Sequence, residues 1–236
     1  MIVAVAGGKG GVGKSTVAYN LGAELDAVVV DADLGMADLP AGAGPDLHDV
    51  LAGRADPLEA VDEGGAVDLL PCGRTLAGAR AADPRELVSA VEAVADAYGS
   101  VVLDCPAGMA ADVGLPLFVA DLYVLVTTPA ETAVADALRT RALARELDAG
   151  LRVVALNKAG SSVAVDRFER VFGAPVTAIP ESAAVARAQR HGQPVRAVAR
   201  ECEAVGRLAD LAERVRSWRS TDVTDGSIAG PRAEYR

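Results

Sequence analysis

A glycine-rich segment lies between two apolar segments near the start of this chain. Residues 2–6 (IVAVA) predict a buried strand, and the amphipathic stretch from Val17 to Leu25 predicts a helix. Between them, residues 8–16 read GKGGVGKST and match the pattern G-x-x-x-x-G-K-[ST]. Strand, glycine-rich loop and helix is the context in which this pattern forms a phosphate-binding loop. A chance glycine-rich turn is the alternative, and the complete pattern in this context argues against it.

The chemistry of such a loop follows from its residue types. Glycines let the backbone curl so that successive N–H groups face inward, which makes an anion site at a helix N-terminus. Lys14 can then reach the β- and γ-phosphates, and the Ser15 hydroxyl can complete a Mg²⁺ shell. The predicted nucleotide-binding residues of the loop are Gly8, Lys9, Gly10, Gly11, Val12, Gly13, Lys14, Ser15 and Thr16.

A second lysine near the start of the loop indicates which kind of phosphate-binding loop this is. Lys9, Lys14 and Lys158 are the only lysines in the chain, so two of the three lie in one loop. The segment K-G-G-x-G-K-[ST] resembles the deviant phosphate loop of the MinD/ParA family of P-loop ATPases. That resemblance implies ATP and Mg²⁺ as ligands, and a homodimer in the ATP-bound state. It also implies that Lys9 reaches the partner's nucleotide, where a cation can neutralise charge on the transferring phosphoryl group.

Two further strands end in acidic residues. Residues 28–35 (VVVDADLG) and 101–108 (VVLDCPAG) resemble the family's other two nucleotide motifs. The resemblance implies that Asp33 positions the attacking water with support from Asp31, and that Ser15, Asp33 and Asp104 serve the metal. Carboxylates at the carboxyl ends of parallel strands lie where open α/β sheets bind ligands. A helix cap or loop acid is the alternative for each, and the choice between Asp31 and Asp33 stays open.

The second half of the chain resembles the family's base-binding end. Residues 122–129 predict a strand, followed by a helix from about 132 to 147. Residues 153–158 (VVALNK) resemble the strand whose asparagine, here Asn157, hydrogen-bonds adenine, and an amide can both donate and accept along a base edge. The segment from 179 to 195 resembles the family's loop in which Pro180 lies against the base. A core strand without a ligand is the alternative at this end.

Within the family, residues 31–39 (DADLGMADL) are similar to the D-x-D-L-G-x-x-N-L of MinD-like proteins, whereas ParA proteins usually show D-x-D-P-Q. Asp38 departs from that pattern by replacing the usual asparagine. Residues 47–51 (LHDVL) also resemble the MinD segment that follows. Because His48 and His191 match no catalytic or metal-binding spacing, both are expected to be structural or surface residues.

Alternating strands and helices predict an α/β fold with a mostly parallel twisted sheet and helices on both faces. A chain of 236 residues can bury one such core. We therefore expect one P-loop ATPase domain over residues 1–219, ending in a helix from about 200 to 218. Residues 220–236 lose the apolar pattern and are expected to form a disordered tail.

The amino-acid composition indicates where in the cell the protein is expected and which partners it is not expected to bind. Cys72, Cys105 and Cys202 form no C-x-x-C pair, which argues against the iron–sulfur carrier branch and fits a reducing cytoplasm. No apolar run reaches membrane-spanning length, and no signal peptide precedes the first strand. The net charge of −10 counts against DNA binding, which needs clustered cations. The acidic, lysine-poor composition favours a halophilic archaeal source over the bias of a GC-rich genome.

The predicted function is a cytoplasmic, slow and partner-stimulated ATPase switch of the MinD type. It would position a division site, a surface appendage or a chemosensory array through an unidentified activator or localisation partner. The tail holds glycine, proline and few bulky apolar residues, so direct membrane binding is doubtful and recruitment to the membrane or cell pole would need that partner. The alternatives are a ParA-like DNA-segregation ATPase and a nucleotide-binding regulator that has lost hydrolysis.

Overall fold

A computed structural model describes residues 1–35, 39, 44–108 and 114–218 of the chain. Its seven strands form one sheet in the order β3-β2-β4-β1-β5-β6-β7, and every pair of neighbouring strands is parallel. The strands are β1 (Ile2–Ala6), β2 (Val28–Asp31), β3 (Leu69–Leu70), β4 (Val101–Asp104), β5 (Leu122–Thr127), β6 (Leu151–Ala159) and β7 (Val176–Pro180).

Helices connect and cover these strands. They are α1 (Lys14–Leu25), α2 (Leu47–Leu51), α3 (Leu76–Ala81), α4 (Leu87–Tyr98), α5 (Gly114–Val119), α6 (Glu131–Glu146), α7 (Val165–Phe172), α8 (Ala183–Arg190), α9 (Val195–Val198) and α10 (Glu203–Arg216), with a 3₁₀ turn at Pro84–Glu86. Within the described ranges, none of the helices has both the length and the apolar character needed to cross a membrane.

Each face of the sheet has its own apolar layer, because successive side chains of a strand point to opposite sides. Val3 and Val5 of β1 pack with residues of α1 and α10. Ile2, Ala4 and Ala6 of the same strand pack with residues of α4, α5 and α6 on the other face. Burial on both faces explains why the strands are continuous apolar runs rather than alternating ones. The predicted fold class is therefore confirmed, and the described sheet is entirely parallel.

The helix bounds differ slightly from the sequence prediction. The first helix begins at Lys14 rather than Val17, because Gly13 takes a left-handed conformation (φ 94°) and turns the chain directly into the helix. The helix expected at 132–147 is α6, displaced by one residue, and the last helix begins at Glu203 and ends at Arg216. Asp38 and the tail 220–236 lie outside the described residues, so the predictions for them stay predictions.

Strands β1 and β4 are neighbours in the sheet, and the chain continues from β1 to β2 on one side but from β4 to β5 on the other. Such a point of reversal leaves a crevice at the carboxyl ends of the strands, where open α/β sheets bind ligands. The loops after β1, β2, β4, β6 and β7 all begin at this edge. The fold therefore brings the sequence motifs together at one edge.

Candidate nucleotide site

The loop between β1 and α1 has the backbone of an anion site. Gly11 and Gly13 both have positive φ angles, 78° and 94°, and Gly13 is the residue before α1. The first amides of α1 consequently open towards the loop. A Cβ atom on Gly13 would collide with the Asn157 amide, so glycine is required there by both conformation and space.

Lys14 lies beneath this loop as a buried cation. It is the first residue of α1 and is only 7% exposed. Its side chain runs against Gly7, where an added Cβ would lie 3.1 Å from the Lys14 Cγ and Cδ atoms. A buried ammonium group needs a compensating anion, which the phosphates of a nucleotide would supply.

Lys9 lies at the outer rim of the loop and contacts α6. Its Nζ atom donates a hydrogen bond of 2.9 Å to Oγ1 of Thr132, in the first turn of that helix. The neighbouring Gly8 lies so close to the Asp136 backbone that a Cβ atom would overlap the carbonyl group. The start of the loop is therefore braced against α6, and Lys9 is held there in the single chain.

The predicted base-binding end is joined to the loop by two consecutive residues of β6. Asn157 Nδ2 donates to the Val12 carbonyl and Lys158 Nζ donates to the Gly11 carbonyl, each at 2.9 Å. Lys158 reaches its partner from a left-handed backbone conformation (φ 54°). A cavity of about 400 Å³ extends from the loop past both residues to Pro180. The structure thus brings the predicted phosphate and base residues to one cavity.

Two carboxylates lie side by side at the same edge of the sheet. Asp31 and Asp104 are paired in the register of β2 and β4 and are 0% and 1% exposed. Burial, and next the nearby Asp104 charge, raise the pKa of Asp31 to about 7. Its Oδ1 atom accepts from the Asp33 amide at 3.3 Å, whereas its Oδ2 atom meets no donor in the part of the chain that the structure describes.

Asp33 lies just beyond the end of β2 and is half-buried. Its Oδ1 atom accepts from the Gly35 amide at 3.3 Å, and its backbone carbonyl accepts from the Cys72 thiol at 3.1 Å. The Asp33 side chain is therefore nearer to solvent than that of Asp31, although Asp31 ends β2 and Asp33 follows only two residues later. This difference favours Asp33 as the group that meets water and Asp31 as a supporting one.

The oxygen donors at this edge fit Mg²⁺. Ser15, Asp33 and Asp104 offer the hard ligands that this ion prefers, and the orphaned Oδ2 of buried Asp31 adds negative charge beside them. Among the described residues, no cluster of three or more His, Cys, Asp or Glu forms a cage of its own. Mg²⁺ usually binds through one or two carboxylates together with substrate phosphates, so the arrangement suits a shared ion.

Several contacts at the site were not predicted from sequence. Thr132 holds Lys9, Lys158 holds the loop, and Gln189 accepts a hydrogen bond from the Thr16 hydroxyl at 3.1 Å. Lys158 could have been identified as a site residue from the asparagine–lysine pair at the end of β6, but no local pattern marks Thr132 or Gln189. Of the two histidines, His48 is buried and His191 is exposed.

A parallel sheet with a phosphate loop after its central strand and a buried acid on the next strand defines a P-loop nucleotide-binding protein. Residues 3–195 match the CobQ/CobB/MinD/ParA nucleotide binding domain family. The chain is 30% identical over 228 residues to an uncharacterised ATP-binding protein of Methanocaldococcus jannaschii, covering 90% of this chain and 86% of that protein.

Two further comparisons concern MinD proteins. The septum site-determining protein MinD of Bacillus subtilis is 29% identical over 217 residues, which cover 82% of this chain and 81% of the relative. The structure of Pyrococcus horikoshii MinD complexed with Mg-ADP superposes with a TM-score of 0.85 at 27% identity, covering 93% and 97% of the two chains. The chain therefore belongs to the MinD/ParA family of P-loop ATPases.

Proposed function

We propose that this protein is an ATP-hydrolysing dimerisation switch of the MinD type. The observation that carries the proposal is the juxtaposition of a buried cation and two buried carboxylates at one edge of the sheet. Lys14 lies under the loop after β1, while Asp104 pairs in register with Val5 of that strand. The Lys14 ammonium group can balance the charge of the phosphates, and the Asp104 carboxylate can bind a cation that accompanies them.

Binding would use groups that are already in place. The loop amides and Lys14 hold the β- and γ-phosphates, and Asn157 and Pro180 border the adenine end of the cavity. Mg²⁺, held by Ser15, Asp33 and Asp104, would supply positive charge against the phosphates. The Mg-ADP complex of the related MinD supports this choice of ligands.

Hydrolysis would depend on one acid and one cation. Asp33 orients the attacking water, since it is less buried than Asp31, the other carboxylate at the end of β2. Lys9 leaves Thr132 and crosses to the nucleotide of a second subunit, where it offsets charge on the transferring phosphoryl group. Loss of the γ-phosphate then removes the contacts that hold the dimer.

The output of the switch would be spatial. The similarity to septum site-determining MinD proteins supports a role in positioning a division site, a surface appendage or a chemosensory array. We expect recruitment through a protein partner and little direct lipid binding. ATP-dependent flotation with anionic liposomes, lost on deletion of residues 214–236, would contradict that expectation.

The test is single-turnover phosphate release, with protein in excess over Mg²⁺-ATP so that a slow rate is measurable. The wild-type chain should release phosphate, whereas Lys9→Ala should bind ATP but release phosphate far more slowly. Arg207→Ala removes an exposed cation of α10 and should match the wild type. A wild type that binds ATP without releasing phosphate would instead support the hydrolysis-deficient regulator.

A further inference from the structure

His48 is a buried histidine whose imidazole ring packs closely against two glycines. It lies in α2 and is 3% exposed. A Cβ atom on Gly73 would overlap its imidazole ring, and one on Gly78 would lie 3.1 Å from its Nδ1 atom. Glycines on two sides therefore make room for the ring and fix its position.

The shortest polar contact of the ring is with a backbone carbonyl group. Its Nε2 atom lies 3.0 Å from the backbone carbonyl oxygen of Leu34. Because a carbonyl only accepts, Nε2 carries the proton and donates. The Nδ1 atom has no hydrogen-bond partner in the described ranges. Burying a polar ring with one unsatisfied nitrogen is unfavourable compared with an apolar side chain, so a purely packing role does not explain a histidine here.

A second buried donor holds the preceding carbonyl. The Cys72 Sγ atom donates to the Asp33 carbonyl at 3.1 Å and lies 3.6 Å from His48 Nε2. Because a carbonyl oxygen only accepts, the Cys72 thiol is the donor in this contact. Two adjacent carbonyls, those of Asp33 and Leu34, are thus held by two neighbouring side chains.

The held segment is the one that carries the proposed water-orienting carboxylate. The Asp33 amide donates to Asp31 while its carbonyl accepts from Cys72, so both peptide groups that flank its Cα atom are fixed. Those peptide groups set the direction of the Cα–Cβ bond. We propose that His48 and Cys72 are positioning residues for hydrolysis: they hold the Leu34 and Asp33 carbonyls, and this fixed backbone directs the Asp33 carboxylate to the attacking water. The inference rests on the proposed ATPase function.

Two substitutions separate positioning from packing. His48→Leu keeps an apolar group of similar bulk but removes the donor, and His48→Gln restores an N–H near the position of Nε2. We expect His48→Leu to lower the single-turnover rate about tenfold, the equivalent of roughly 1.4 kcal/mol in activation free energy. Its affinity for a fluorescent ATP analogue should stay within about twofold of wild type, because a single lost contact outside the cavity leaves the loop intact. His48→Gln should recover most of the rate.

Val50→Ala is the matched control, since it removes packing from the same helix without touching the Leu34 carbonyl. It should lower the melting temperature and leave the rate of folded protein unchanged. If His48→Leu does not fold, Cys72→Val and Cys72→Ser are compared instead of the two His48 variants. Serine keeps a hydrogen-bond donor and valine does not, so only Cys72→Val should lower the single-turnover rate. A wild-type rate in either donor-free variant, or equal losses in His48→Leu, His48→Gln and Val50→Ala, would overturn the positioning role. Absence of turnover in the wild type would overturn the ATPase function together with it.

Discussion

The two sides of the nucleotide site are organised in opposite ways. On the loop side, Asn157 and Lys158 donate to consecutive loop carbonyls, and Lys9 is bonded to Thr132. On the acidic side, Asp31 and Asp104 are buried on neighbouring strands, and the pKa of Asp31 is raised to about 7 by burial and by that neighbour.

This difference indicates how each ligand would be bound. The loop is preorganised, so phosphates would enter without rearrangement of the backbone. The acidic pair carries an electrostatic penalty in the empty protein, which a bound cation would relieve. Removing a group from the loop side should therefore weaken binding, whereas removing a charge from the acidic side should stabilise the empty protein.

The largest effect is expected from Lys14→Ala on the loop side. Loss of the buried cation that is proposed to contact two phosphates should lower the affinity for ATP at least about a hundredfold, or roughly 3 kcal/mol. Equilibrium titration with a fluorescent ATP analogue measures the change. Arg152→Ala, which removes a cation bonded to the end of α10, should bind as the wild type does. Near-normal affinity in folded Lys14→Ala would show that the loop does not hold the phosphates.

On the acidic side, Asp31→Asn should stabilise the protein without nucleotide or metal. Folding raises the pKa of Asp31 from 3.8 to about 7, so between these values the folded state keeps a proton that the unfolded state has lost. Stability from this group therefore falls as the pH rises through that window. The asparagine variant should gain at most about 4 kcal/mol at pH 8, and the gain should shrink towards pH 4.

Urea denaturation in EDTA at several pH values tests this expectation. Asp33→Asn is the control, because Asp33 is half-buried and its replacement removes less desolvated charge. A gain in Asp31→Asn that does not change with pH, or a loss of stability at pH 8, would contradict the description of the acidic side.

A smaller effect is expected from Asn157→Ala, which removes one hydrogen bond to the loop. A single such bond is worth about 1 kcal/mol, so ATP affinity should fall roughly fivefold. Competition with inorganic tripolyphosphate distinguishes the two possible roles of the amide. Weaker binding of ATP alone indicates contact with the base, and weaker binding of both indicates support of the loop. No change for either ligand would remove Asn157 from the site.

The sequence was most informative where the site is contiguous. The loop and Asp104 each lie in a short pattern after an apolar run, and the fold places both at the predicted edge. The start of α1 was harder to predict, because its first turn is polar and apolar periodicity begins only at Val17. Periodicity also carries no information on the left-handed Gly13 that starts the helix early.

Contacts between distant segments could not be predicted. Lys9 and Thr132 are separated by 123 residues, and Lys158 and Gly11 by 147, so no local spacing relates them. His48 was expected to be a structural or surface residue, since its neighbours in sequence showed no catalytic spacing. Which carbonyl a buried imidazole meets depends on where the fold places α2 relative to the segment that follows β2, and no local pattern specifies that.

The central claim, an ATP-dependent dimerisation switch, is tested most directly by the mass of Asp33→Ala in solution. Multi-angle light scattering with Mg²⁺-ATP, with Mg²⁺-ADP and without nucleotide would be recorded for this variant and for Asp33→Ala combined with Lys9→Ala. We expect a dimer for Asp33→Ala with ATP only, because hydrolysis is blocked while the phosphates are held, and a monomer for the double variant in all three conditions. A monomer in ATP-saturated Asp33→Ala, or a dimer that persists without Lys9, would contradict it.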